Sequence, residues 1–134
     1  MDGASTHIDF IAIFLAAFSA FVLGGLWYGP LFGKVWQYHV GISEEALSER
    51  NMPLVFGGAF LLMLLAAVDL ALFIGPQATL RFGAMAGLAA GVGWFATLLG
   101  VTYLFERRSL SLWLVNGAYG ALALTIMGAI LGSH

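Results

Sequence analysis

The chain has 134 residues, of which 61% are hydrophobic and 9% are charged, and its formal net charge is -2. Soluble domains carry about 25% charged residues, so this composition excludes an ordinary soluble protein. The sequence contains no cysteine, which excludes disulfides, thiolate catalysis and thiolate metal sites.

Four apolar runs organise the chain. Each approaches the roughly 20 residues that cross a bilayer core as a helix. The fold class predicted is all-α, an integral membrane bundle of four transmembrane helices in a single domain, 1–134. The predicted spans are about 8–28, 53–74, 81–105 and 110–131. The first run has the alternative of a secretory signal, but no Lys or Arg precedes it and it is too long, so we expect a retained span.

The first span leads into the one sizeable connection, residues 29–52. Trp27 and Tyr28 stand at the end of the span, where amphipathic rings favour the level of the lipid headgroups. We expect Gly29 and Pro30 to stop the helix there. Pro30 also suits the first position of a new helix.

After this break the sequence predicts a short amphipathic helix along the membrane surface. The apolar side of this helix consists of Leu31, Phe32, Val35 and Trp36. Its polar flank consists of Lys34, Gln37 and Tyr38. We expect Gly41 to end this helix and Ser43 to cap a second short one. Asn51 and Pro53 then begin the second span. The sequence therefore predicts short interfacial amphipathic helices between the first two spans.

The same connection contains one dense motif. It reads Gly25-x-Trp27-Tyr28-Gly29-Pro30-Leu31-Phe32-Gly33-x-x-Trp36 and is followed by Gly41. This motif resembles the loop of a family of small bacterial and fungal four-span membrane proteins known only as a domain of unknown function. The resemblance implies the fold and a membrane location, and it supplies no catalytic or binding residues.

The basic residues predict the orientation. Lys34, Arg50, Arg107 and Arg108 lie in the first and third connections, whereas Arg81 lies beside the second. The positive-inside rule then places the first and third connections in the cytoplasm and both termini outside. We expect a multi-pass protein of the bacterial cytoplasmic (inner) membrane, with insertion in either direction as the alternative.

The third span carries two rows of small residues. One row is Gly83, Gly87 and Gly91, and the other is Ala86, Ala90, Gly93, Thr97 and Gly100. Such rows let helix backbones approach closely in lipid. We expect one face to pack within the chain and the other on a second copy, with Gly83, Gly87 and Gly91 in the contact between subunits, which predicts a homo-oligomer. The alternative is that this span is the central helix of a monomeric bundle.

Two polar residues stand out inside the predicted spans. Asn116 can donate and accept across a helix contact, so we expect an interhelical fastener, with a ligand contact as the alternative. Asp69 is the one acidic or basic side chain that lies inside a predicted span rather than at its end. An acid within the membrane is a candidate functional residue by default. Its simplest role is an ion pair with Arg81. A metal site formed by Asp69 with Asp9 and His7 is a weaker alternative.

The sequence is compatible with two functions. The first is a small self-associating channel or secondary transporter for an unknown small molecule or ion, with Asp69 near the pathway. The alternative is a non-transporting scaffold or accessory subunit that binds a partner membrane protein. We expect no enzymatic activity and no cofactor, the lipid bilayer as a partner, and no nucleic acid, because the sequence has no basic face for one.

Overall fold

A computed structural model describes residues 9–133, and all regular secondary structure in that range is helical. The helices are α1 (Phe10–Leu26), α2 (Gly33–Val40), α3 (Glu44–Ser48), α4 (Met52–Ile74), α5 (Leu80–Ala90), α6 (Thr97–Glu106) and α7 (Leu110–Gly132). A π-helical turn, Trp27–Leu31, extends α1, and a π-helical segment, Gly91–Ala96, joins α5 to α6.

Within residues 9–133, four helices are long and apolar enough to cross a membrane. They are Phe10–Leu31, Met52–Ile74, Leu80–Glu106 and Leu110–Gly132. The short helices α2 and α3 lie between the first two of them. The predicted all-α membrane bundle is therefore confirmed.

Side-chain caps fix where the helices begin. Asp9 accepts a hydrogen bond from the Ala12 backbone N–H at 3.0 Å at the start of α1. Ser43, Asn51, Thr79 and Ser109 cap α3, α4, α5 and α7 in the same way. Each cap satisfies a backbone donor that has no partner inside its own helix. Ser43 and Asn51 therefore take the positions that the sequence predicts.

The closest helix contact joins α5 to α7. A Cβ atom at Gly83 would overlap the backbone carbonyl oxygen of Gly128, and one at Gly87 would overlap that of Leu124. A Cβ atom at Gly91 would likewise overlap the Cα atom of Ala121. The two backbones touch because these positions carry no side chain.

This contact corrects one expectation from the sequence. Gly83, Gly87 and Gly91 were expected to form contacts between subunits, but α7 of the same chain occupies their face. Self-association therefore has to use a different surface. Gly93, from the second row, has no atom within 4 Å of a Cβ built on it, so that surface is open.

Helix α1 packs through alanines against α4 and α7. Ala12, Ala16 and Ala20 are buried, and they join a core that contains Leu70 of α4 and Met127 of α7. Aromatic rings make the remaining contact with α4. Phe21 lies edge-on to Phe56 and Phe60, with ring centroids 5.9 and 5.7 Å apart.

The end of the first span differs from the sequence-based prediction. The helix runs through Gly29 and Pro30 as a π turn, and the break falls at Phe32, where φ is -126° and ψ is 13°. The Phe32 N–H donates to the Trp27 carbonyl oxygen at 2.7 Å. Proline lacks an N–H and crowds the preceding turn of an α-helix, and the wider π turn accommodates it. The surface helix α2 consequently begins at Gly33.

We predict that Gly87→Ala destabilises the bundle, because the new methyl group would meet the backbone of α7 rather than a flexible side chain. The free energy of unfolding should fall by about 1–3 kcal/mol, the usual effect of overpacking. Gly58→Ala is the matched control, since a Cβ atom there has no neighbour within 4 Å. Unfolding of both variants in detergent micelles measures the difference, and equal stabilities would contradict the packing described here.

Candidate functional site

A cleft of about 750 Å³ lies between the end of the first span, the start of the second span and the two short helices. Its volume is within the range of about 300–1,000 Å³ that is typical of small-molecule sites. The lining residues are Phe21, Gly24, Gly25, Tyr28, Gly29, Gly33, Lys34, Trp36, Gln37, Leu47, Arg50, Val55, Phe56, Ala59, Met63 and Tyr119. We refer to this space as the cleft.

One end of the cleft is apolar and reaches into the bundle. Phe21 of α1 and Phe56, Ala59 and Met63 of α4 form its walls. Val55 and Met63 both line it, and at 1.5 Å per residue they lie about 12 Å apart along α4. The cleft therefore extends well below the level of the short helices.

Glycines leave the space between α1 and α4 open. A Cβ atom at Gly25 or Gly29 would have no neighbour within 4 Å, although both residues line the cleft. At Gly24 a Cβ atom would lie 3.1 Å from the Tyr119 hydroxyl oxygen, so this glycine makes room for a side chain of α7. The glycines on this face of the first span thus have different roles from those in α5.

The other end of the cleft carries positive charge. Lys34 of α2 and Arg50, just after α3, are both exposed and both line the cleft. Arg50 Nε donates to the Leu47 carbonyl oxygen at 3.2 Å. Among residues 9–133, the ion pair that forms joins Arg108 to Glu106 at 3.1 Å. Within this range, neither Lys34 nor Arg50 therefore forms an ion pair.

A chain of hydrogen bonds connects the cleft to the other spans. Tyr28 lines the cleft, and its hydroxyl donates to Asn116 Oδ1 at 2.6 Å. Asn116 Nδ2 in turn donates to the Tyr103 hydroxyl oxygen at 2.6 Å. Asn116 therefore links the first, third and fourth spans. This is the place in the fold that an interhelical fastener would occupy.

Two further aromatic side chains bond to backbone carbonyls of neighbouring spans. Trp27 Nε1 donates to the Val115 carbonyl oxygen at 2.9 Å, and the Tyr119 hydroxyl donates to that of Ala20 at 2.8 Å. The sequence predicted Trp27 and Tyr28 as rings at the headgroup level. Both also hydrogen-bond to α7, Trp27 to the Val115 carbonyl oxygen and Tyr28 to the Asn116 side chain.

Helix α2 is attached to the bundle on two sides. Trp36 packs edge-on against Tyr28, with ring centroids 5.9 Å apart. His39 Nδ1 lies 3.0 Å from the hydroxyl oxygen of Ser109, the residue that caps α7. No local sequence pattern predicts this second contact, since the two residues are separated by 70 positions. The amphipathic helix is thus a fixed wall of the cleft.

The charged residues that the sequence singled out lie elsewhere. Asp69 is exposed on α4 and Arg81 is exposed on α5, and no ion pair joins them within the described residues. The expected Asp69–Arg81 pair is therefore not formed. Asp9 caps α1, and no group of three potential metal ligands occurs between residues 9 and 133. His7 lies outside the described residues.

The chain matches a known family over nearly all of its length. The family model is described as Protein of unknown function (DUF1761), and it matches residues 11–132. The matched range includes every lining residue of the cleft. No curated protein and no solved structure matches the chain.

We predict that Asn116→Leu destabilises the bundle by about 1–2 kcal/mol, because interhelical hydrogen bonds in membranes contribute about 0.6 kcal/mol on average and up to about 1.7 kcal/mol. A double-mutant cycle with Tyr28→Phe should show positive coupling. Tyr38→Phe is the control, since Tyr38 is 80% exposed and does not line the cleft. Strict additivity of Tyr28→Phe and Asn116→Leu would contradict the described hydrogen bond.

Proposed function

The chain belongs to the family described as Protein of unknown function (DUF1761), and from its geometry we propose that it is a small secondary transporter whose substrate site is the cleft. The observation that carries this proposal is the preformed cleft, with apolar walls and a few convergent polar groups. This combination is the usual form of a small-molecule site.

The packing of the bundle favours a carrier over a channel. Alanines of α1 and glycines of α5 and α7 fill the space between the spans and bring backbones into contact. The cleft lies instead at the side, between the first and second spans. A substrate route along this side needs fewer changes than a pore through the centre of a single chain.

The wall of the cleft contains an element suited to movement. Tyr28 and Gly29 belong to the π turn of the first span, and π-helical turns occur often at functional sites. The Tyr28 hydroxyl is also bonded to Asn116. We propose that a substrate in the cleft shifts this turn and that the hydrogen-bonded chain transmits the shift to the third and fourth spans.

Self-association remains part of the proposal. A carboxylate at the centre of a span costs about 2.5–3.5 kcal/mol on insertion scales, and the cost falls toward the ends. Asp69 lies about 8 Å from the end of α4, and the described part of the chain leaves it exposed. A second copy would shield this carboxylate and could also use the open surface around Gly93. The same exposed Asp69 supports the second candidate, an accessory subunit that covers this face with a partner membrane protein.

We propose that the protein lies in a bacterial cytoplasmic membrane. The mouth of the cleft, which is the end that carries Lys34 and Arg50, then faces the cytoplasm. The chain has no cysteine, so single cysteines test this orientation directly. Ser48→Cys, in α3, should react with an impermeant maleimide only in inside-out vesicles. Gln77→Cys, between α4 and α5, should react only in right-side-out vesicles. The reverse pattern would contradict the cytoplasmic placement of the cleft mouth, and labelling of both residues from both sides would contradict a single orientation.

We predict that filling the cleft abolishes transport. The cleft has apolar walls and cations at one end, so a chain-labelled fluorescent lysophospholipid is a suitable probe. In proteoliposomes, the unaltered chain should accelerate its movement across the membrane, as measured by dithionite quenching. Gly25→Trp should return the rate to that of empty vesicles, because Gly25 lines the cleft and its Cβ position is open, so that the indole would fill part of the cleft.

Gly57→Trp is the matched control, since its Cβ position is equally open but it does not line the cleft. It should keep the rate of the unaltered chain. If vesicles with and without the protein have the same rate, the transporter proposal fails and the accessory subunit becomes the better account. If Gly57→Trp abolishes movement as well, the cleft is not the route.

A further inference from the structure

We infer that the cleft selects an amphiphile with an apolar body and an anionic head group. This inference rests on the proposed function only in taking the cleft as a ligand site, and it adds the chemical class of the ligand. It follows from the distribution of charge along the cleft.

The charged residues that line the cleft are both cations. Lys34 belongs to α2 and Arg50 follows α3, so two separate elements bring positive charge to the same mouth. The acidic residues Glu44 and Glu45 start α3 but do not line the cleft. An anion at the mouth would therefore meet attraction from both sides.

Arg50 is partly held in place for such a contact. Its Nε donates to the Leu47 carbonyl oxygen at 3.2 Å, which fixes the start of the guanidinium group. The terminal nitrogens supply the remaining donors of this group. A carboxylate or phosphate is the natural acceptor for such a fork, and basic sites between membrane helices bind anionic head groups.

The opposite end of the cleft fits an apolar body. Phe21, Phe56 and Met63 line it, and about 12 Å separates the two ends along α4. An amphiphile placed this way would leave its charge at the membrane surface and its apolar part at the depth of the hydrocarbon. No charge would have to be buried without a partner, which is the main obstacle for a polar ligand in a bilayer.

The test compares three ligands with the same dodecyl chain and different heads. Dodecyl phosphate, dodecanol and dodecyltrimethylammonium are titrated into the full chain in nanodiscs of zwitterionic lipid, with empty nanodiscs as the blank. Dodecyl phosphate should bind about tenfold or more tightly than the other two, as expected for two cations at a membrane surface.

The variant Lys34→Gln/Arg50→Gln should remove this preference. Its affinity for dodecyl phosphate should fall about tenfold, and its affinity for dodecanol should not change. Arg107→Gln/Arg108→Gln is the matched control, because it removes the same charge from the same predicted side of the membrane but not from the cleft. It should bind all three probes as the unaltered chain does.

The outcomes separate this inference from the proposed function. If no probe binds above the blank, the cleft is not a ligand site and both proposals fall. If all three bind equally and Gly25→Trp blocks them, the cleft stands as a ligand site but the anionic preference is wrong. If the two double variants weaken dodecyl phosphate to the same extent, general surface charge explains the binding and the inference is overturned.

An anionic phospholipid and a free single-chain amphiphile share this chemistry. Repeating the titration in nanodiscs that contain phosphatidylglycerol distinguishes them. Weaker apparent binding of dodecyl phosphate would identify the membrane lipid as a competing occupant, and unchanged binding would identify a free amphiphile. Both results support an anionic head group, provided that the preference depends on Lys34 and Arg50.

Discussion

The structure depends first on the backbone contact between α5 and α7. Gly83 and Gly87 meet the backbone of α7 where any side chain would overlap it. Lipid chains are as apolar as the helices, so close van der Waals contact supplies the attraction that burial from water supplies in soluble proteins. With α7 held in this way, its residues Asn116 and Tyr119 form hydrogen bonds with the first span. The position of the first span, and with it one wall of the cleft, follows from that contact.

The cleft exists because α4 is attached to α1 mainly at one end. Alanines and aromatic rings join the two helices deep in the bundle, whereas Gly25 and Gly29 face open space near the short helices. The same residue type thus has opposite effects in this chain. Glycine permits backbone contact in α5 and leaves a volume unfilled at the end of the first span. The short helices close the mouth of that volume and add its positive charge.

Much of the architecture could be predicted from the sequence, and the site could not. Span number and helix caps such as Ser43 and Asn51 depend on local composition, which one chain displays directly. The row containing Gly87 predicts a close contact but not its partner, because the identity of the facing helix is tertiary information. The cleft combines residues as distant as Phe21 and Tyr119, and no local pattern joins them. The predicted Asp69–Arg81 ion pair is wrong for the same reason, since proximity along the chain does not bring the two side chains together.

The most direct test of the account is a structure determined in lipid nanodiscs by electron cryomicroscopy. We expect elongated non-protein density in the cleft, with its polar end between Lys34 and Arg50 and its apolar end beside Phe21 and Met63. That result would show an amphiphile in the proposed site. A cleft closed by direct packing of α2 on α4, with no room for a ligand, would contradict the central claim.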